Sequence, residues 1–110
     1  FDLLPTGALA LATARVFCDL RGERPGVPDG MKVDVNGNVY CGGAGGIWVM
    51  DPDGKHLGII NHGQSATTNM AWGDDDWKTL YITSRATLAR IRLNISGVPV
   101  PVPVSGRNSE

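Results

Sequence analysis

Asp29 is the residue whose type and position in this chain best suit chemistry. It follows Pro28 and precedes Gly30, a combination typical of a tight turn, and the run 31–34 that comes next has strand character. A carboxylate at the start of a strand can bind a hard divalent ion or accept a proton from an attacking water molecule. Since Ca²⁺ takes about six to eight oxygen ligands, Asp29 alone predicts weak metal binding. A turn residue without any chemical role is the other interpretation of this position.

Other reactive side chains give weaker signals. His56 and His62 flank a strand but have no third ligand at metal spacing, so surface positions are expected. The acidic run 74–76 resembles a calcium loop in charge, yet it lacks the Gly and Glu of an EF-hand and predicts a solvated turn. Cys18 and Cys41 stand in apolar runs and predict two small buried side chains, with a disulfide left open.

Composition and charge narrow the function classes. The chain has 110 residues, enough for one domain or part of one, and a formal net charge of −1, which gives no basic field for nucleic acid or an anionic membrane. It has no apolar run near the ~20 residues that a membrane-spanning helix needs. No secretory signal peptide is predicted, because the apolar stretch 7–14 lacks a basic segment before it. Fifteen glycines and seven prolines indicate many turns.

The elements that must position Asp29 are short strands joined by tight turns. The Asn36-Gly37 pair favours a hairpin turn, and the sequence from Asp51 to Gly54 is typical of a type I turn. Four antiparallel strands joined by such turns make one blade of a β-propeller. The four predicted strands lie at 31–34, 38–41, 47–50 and 56–60.

The second half of the chain repeats the first. Met70 lies 39 residues after Met31, and Tyr81 lies 41 residues after Tyr40, with the difference falling in a turn. A period near 40 residues with four strands per unit is typical of propeller blades. The predicted fold is therefore all-β, with about two to two and a half blades of a β-propeller.

The repeat also points to two further candidate site residues. Thr68 occupies the position of Asp29 in the next repeat, and Asn69 follows it. Both could line the mouth of the same central channel. A simple turn before a strand explains them as well.

The predicted organisation assigns each part of the chain to a blade. Residues 1–97 form a partial propeller, in which 1–22 end one blade, 28–62 form a complete blade and 66–95 give three strands of the next. Within the first part, 14–20 is expected to be an outer strand, and 3–13 a hairpin leading to it. Residues 98–110 form a Pro-rich, polar tail.

Three segments in order resemble the C-terminal part of the SMP-30/gluconolactonase/LRE-like family. They are 27–40 (VPDGMKVDVNGNVY), 46–55 (GIWVMDPDGK) and 72–83 (WGDDDWKTLYIT), and the resemblance covers about residues 14–95. It implies a six-bladed propeller that hydrolyses sugar lactones with a divalent metal, Ca²⁺, Zn²⁺, Mn²⁺ or Mg²⁺, in its central channel. It also implies that Asp29 is a metal ligand and a candidate general base. The family's other metal ligands, a Glu and an Asn from earlier blades, have no counterpart here.

Two function classes follow from the sequence. The first is the C-terminal part of a metal-dependent sugar-lactone hydrolase, inactive as an isolated fragment, whose partner is a small-molecule sugar lactone. The alternative is a non-catalytic propeller segment or binding module that closes a ring by self-association, since two blades leave sheet edges exposed. Neither class involves nucleic acid or a membrane.

Overall fold

The computed structural model describes residues 1–64 and 66–101, which form an all-β arrangement of nine strands and one short 3-10 turn. No helix in this part of the chain has the length and apolar character needed to cross a membrane. The elements are β1 (Asp2–Leu3), β2 (Leu9–Ala10), the 3-10 turn (Leu11–Thr13), β3 (Met31–Val33), β4 (Val39–Gly43), β5 (Gly46–Met50), β6 (His56–Ile60), β7 (Asn69–Gly73), β8 (Thr79–Ser84) and β9 (Thr87–Arg92).

Strands β3 to β6 form an antiparallel sheet in the order β3-β4-β5-β6. Between β4 and β5 the chain reverses over two residues, Ala44 and Gly45, and Gly45 has a φ of 86°, which glycine adopts without strain. Between β5 and β6, one carboxylate oxygen of Asp51 accepts the backbone N–H groups of Asp53 and Lys55, both at 2.9 Å. The residues of these two turns therefore stabilise the connections between neighbouring strands of this sheet.

Strands β7 to β9 form a second antiparallel sheet that repeats the first in register. Lys32 pairs with Tyr40 across β3 and β4, and Ala71 pairs with Tyr81 across β7 and β8. These partners are the ones that the offsets of 39 and 41 residues predict. The repeat is therefore structural, and the second sheet has three strands where the first has four.

The main core lies between the two sheets. It joins Tyr40 and Ile47 of the first sheet to the apolar side chains of the second, and Tyr40 meets Trp72 edge to face at a centroid distance of 5.3 Å. A second cluster on the other face of the first sheet is formed by Leu20, Cys41, Ala44, Trp48 and Met50. Successive sheets packed face to face, with apolar layers between them, give the architecture of part of a β-propeller.

The segment before β3 differs from its prediction. The run 14–20 is not a strand, and the predicted 3–13 hairpin is a shorter one, in which Asp2 pairs with Ala10. The physical reason is packing: Leu20 and Cys18 pack on the face of the first sheet, and no strand within residues 1–64 and 66–101 pairs with this segment. Both cysteines are free thiols, with Cys41 buried and Cys18 half-buried.

The chain after β9 returns to the first sheet. Ser96 accepts a hydrogen bond from the backbone N–H of Val35 at 3.0 Å, and Gly97 donates one to Trp77 at 2.8 Å. Gly97 packs directly on the indole of Trp72, because an added Cβ would lie 1.9 Å from a ring carbon. Of the predicted tail, 98–101 belongs to this described segment and 102–110 lies outside the described residues.

Candidate functional site

Asp29 lies two residues before the first residue of β3, with an exposed side chain and a backbone held from two sides. Its carbonyl oxygen accepts the Cys41 thiol at 3.6 Å, and the next carbonyl, of Gly30, accepts the backbone N–H of Gly42 at 3.2 Å. On the other side, Gly30 donates its N–H to the carbonyl of Thr68 at 2.9 Å. The Asp29 carboxylate makes no hydrogen bond or ion pair with the described residues, so its oxygens remain available.

Thr68 and Asn69 lie beside the turn that carries Asp29. The Thr68 hydroxyl donates to the carbonyl of Thr83 at 3.0 Å, which fixes it at the start of the second sheet. The Asn69 side chain lies against Gly30, because a Cβ added at Gly30 would be only 2.2 Å from Asn69 Oδ1. The beginnings of β3 and β7, 38 residues apart in sequence, therefore meet at one end of the two sheets.

Lys32 belongs to the same cluster, although sequence reasoning missed it. Its Nζ donates to Asn69 Oδ1 at 3.2 Å and to the carbonyl of Met31 at 3.1 Å. The signal that could have found it is a cation three residues after Asp29, in the first strand of a blade. Lys32 gives this end of the sheets a positive charge close to the Asp29 turn.

The described residues of this chain do not by themselves make a metal site. Asn69 Oδ1 already accepts the backbone N–H of Met70 at 2.8 Å as well as the Lys32 ammonium, so it is directed at donors and not at a cation. The Thr68 hydroxyl is engaged with Thr83. Across residues 1–64 and 66–101, no three His, Cys, Asp or Glu side chains come together. Asp29 is left as a single carboxylate, which falls well short of the coordination that Ca²⁺ or Mg²⁺ requires.

The two histidines have structural partners. His56 is exposed and stacks on Trp48 at a centroid distance of 3.9 Å. His62 is half-buried rather than on the surface, and its Nε2 lies 2.6 Å from the hydroxyl of Thr67, a buried residue. Thr67 in turn packs against Gly42, so His62 supports the loop that leads to Thr68.

The acidic run 74–76 is an exposed turn, as predicted. The Asp74 carboxylate accepts the hydroxyls of Thr79 and Tyr81, and these hydrogen bonds lower the pKa of Asp74. In the first sheet, Asp34 accepts the hydroxyl of Tyr40 at 3.0 Å, so each blade carries an Asp–Tyr pair at the same place. Burial, together with the Asp34 carboxylate, raises the pKa of Tyr40. Each of these carboxylates therefore stabilises the hairpin of its own blade.

Sequence comparison confirms the family resemblance of the segments 27–40, 46–55 and 72–83. The family described as SMP-30/Gluconolactonase/LRE-like region matches residues 3–86, most of the chain. The chain therefore belongs to this family.

Three curated relatives are each 38% identical to this chain over the part they share. A gluconolactonase of Zymomonas mobilis subsp. mobilis matches over 66% of this chain, a lactonohydrolase of Aspergillus oryzae over 64%, and a pentonolactonase of Haloferax volcanii over 56%. These matches cover 20%, 15% and 22% of the relatives' own lengths. The chain thus spans about a fifth of the proteins it resembles.

A solved structure supports the fold independently. The crystal structure of a candidate gluconolactonase aligns with 66% of this chain and 25% of its own, with a TM-score of 0.62 and 34% sequence identity. The two sheets described above therefore have the arrangement found in part of that protein.

Proposed function

We propose that this chain is the C-terminal part of a sugar-lactone hydrolase and that Asp29 is its contribution to the active site. The observation that carries the proposal is the position of Asp29. Its carboxylate is exposed and makes no hydrogen bond with the described residues, its backbone is held by both sheets, and the relatives of the chain are lactone hydrolases. A carboxylate that must act on a ligand has to be both accessible and rigidly placed.

Lactone hydrolysis adds water to the carbonyl carbon and breaks the ring C–O bond. A base takes one proton from the attacking water, and the ring oxygen gains a proton as its bond to the carbonyl carbon breaks, which makes it a hydroxyl. The carboxylic acid that is formed then releases its proton to solvent and becomes a carboxylate. Asp29 is proposed as that base. It is also proposed as one ligand of a divalent ion, Ca²⁺, Zn²⁺, Mn²⁺ or Mg²⁺, whose remaining ligands lie outside this chain. We expect this chain alone to hydrolyse no sugar lactone, with or without those ions.

The proposal can be tested in a chimera in which this chain replaces the matching segment of the Zymomonas mobilis gluconolactonase. The chain offers a matched control, because Pro52-Asp53-Gly54 repeats the Pro28-Asp29-Gly30 motif in an exposed turn. We expect the chimera to hydrolyse gluconolactone, Asp29→Ala to reduce turnover at least about 100-fold, and Asp53→Ala to leave it unchanged. A folded chimera without activity, or equal activity of the two variants, would contradict the proposal.

A further inference from the structure

The Lys32–Asn69 pair joins the first strands of the two sheets next to Asp29. It bridges residues 37 positions apart through a contact of 3.2 Å between Lys32 Nζ and Asn69 Oδ1. The Lys32 side chain is half-buried, and its Nζ also donates to the Met31 carbonyl at 3.1 Å, so two acceptors hold the ammonium beside Asn69, whose side chain lies against Gly30. A side chain fixed in this way is a defined point of positive charge.

The hydrogen bonds of Asn69 decide what the pair can recognise. Its amide oxygen accepts from Met70 N and Lys32 Nζ, so the amide nitrogen is the end that faces away from these donors. That nitrogen meets no acceptor among the described residues. The Lys32 ammonium has three N–H donors, and only two acceptors in the described part of the chain engage it, the Met31 carbonyl and Asn69 Oδ1. Both residues therefore offer spare donors, which suit an anion.

We propose that Lys32 and Asn69 bind the carboxylate of a polyhydroxy acid, the product class of sugar-lactone hydrolysis, while a hydroxyl group of the same molecule donates to Asp29. The inference rests on the proposed function for its choice of ligand. The lactone is neutral, and negative charge develops on its carbonyl oxygens as water adds and the ring C–O bond breaks. A fixed ammonium interacts more strongly with that charge than with the neutral ester, so Lys32 favours the charged states along the reaction.

The test compares two ligands that differ only at one end. Sodium gluconate carries a carboxylate where glucitol carries a hydroxymethyl group, and both are titrated into the ¹⁵N-labelled chain at constant ionic strength. Gluconate is expected to shift the amide resonances of Gly30, Lys32 and Asn69 in a saturable way, and glucitol is not. Equal shifts with both ligands, or gluconate shifts confined to other residues, would overturn the inference.

Substitutions at Lys32 test whether its ammonium binds gluconate. Lys32→Met keeps the aliphatic stem and is expected to weaken gluconate binding about tenfold, whereas Lys32→Arg retains it. Lys55→Met, which removes an exposed lysine in the β5–β6 turn, is the matched control and is expected to bind as the unmodified chain does. If Lys32→Met loses its dispersed spectrum, Asn69→Ala gives the same comparison. Binding that is unaffected in every variant would overturn the inference.

The test of the anion site can fail independently of the test of the proposed function. Gluconate binding is measured on this chain, whereas hydrolysis is measured in the chimera. An active, Asp29-dependent chimera together with a chain that does not distinguish gluconate from glucitol would reject only the anion site. A folded but inactive chimera, together with a chain that binds gluconate and not glucitol, would reject only the hydrolase.

Discussion

Gly30 is the residue that allows the start of β3 to lie against Asn69. A Cβ at this position would be 2.2 Å from Asn69 Oδ1 and 2.7 Å from its Cα. We therefore expect Gly30→Ala to lower the free energy of unfolding by about 1–3 kcal/mol, because the sheets must separate or the Asn69 side chain must move. Urea denaturation followed by tryptophan fluorescence measures this change. Gly58→Ala, in β6 with open space around it, should change the free energy by less than about 0.5 kcal/mol; equal effects would contradict the close approach.

Asp76 links the stability of the second sheet to pH. Its carboxylate accepts a hydrogen bond from Arg92 at 2.8 Å, and this interaction lowers the pKa of Asp76. A carboxylate whose pKa is lower in the folded than in the unfolded chain stabilises the fold above its unfolded pKa, about 4, and this stability is lost as the pH falls through the lowered value. We expect the urea concentration at the midpoint of unfolding to decrease as the pH drops below about 4, and we expect Asp76→Asn to make this decrease smaller. Asp75→Asn changes a side chain without a hydrogen-bond partner among the described residues, so it should leave the decrease unchanged. A decrease that is as large in Asp76→Asn as in the unmodified chain would argue against the ion pair.

The turn between β3 and β4 is built around one buried carboxylate. Asp34 is 1% exposed and accepts the backbone N–H groups of Asn36 and Asn38, the Asn38 amide and the Tyr40 hydroxyl, at 2.9–3.0 Å. Asp34→Ala leaves these donors unpaired, so we expect a loss of about 2–4 kcal/mol in the free energy of unfolding. Asp51→Ala removes two backbone hydrogen bonds from a less buried turn and should lose about 1 kcal/mol. Chemical denaturation of both variants measures the difference, and a larger loss for Asp51→Ala would contradict this ranking.

The strands and turns of this chain were predictable because their signals are local. The Asn36-Gly37 turn and the offset between Met31 and Met70 gave the strands and their register. The run 14–20 has the same local character, yet it packs on a sheet face and pairs with none of the described strands, and no local pattern encodes that choice. The Lys32–Asn69 contact was not predictable either, because it depends on how two sheets pack across 37 residues.

The whole molecule has open faces that an intact propeller would cover. A groove of about 420 Å³ on the first sheet is lined by apolar side chains that include Phe17, Met31 and Met50. On the second sheet, β9 is an edge strand, and Leu88 points out of it into solvent. Each blade of a propeller is stabilised by burial against its neighbours, so a chain with two such open faces is expected to be marginally stable or associated.

Association is therefore the expected state of this chain in solution. Sedimentation equilibrium should give a weight-average mass above that of the monomer, increasing with concentration, because burial of the apolar groove on a second copy removes it from water. Met31→Lys places a charge on a groove residue that is 58% exposed and should shift the equilibrium toward the monomer. Leu11→Lys makes the same change at a residue that is 72% exposed on the 3-10 turn, away from the groove, and should leave the mass unchanged. A strictly monomeric chain would reject ring closure by self-association, and equal effects of the two lysines would place the contact elsewhere than in the groove.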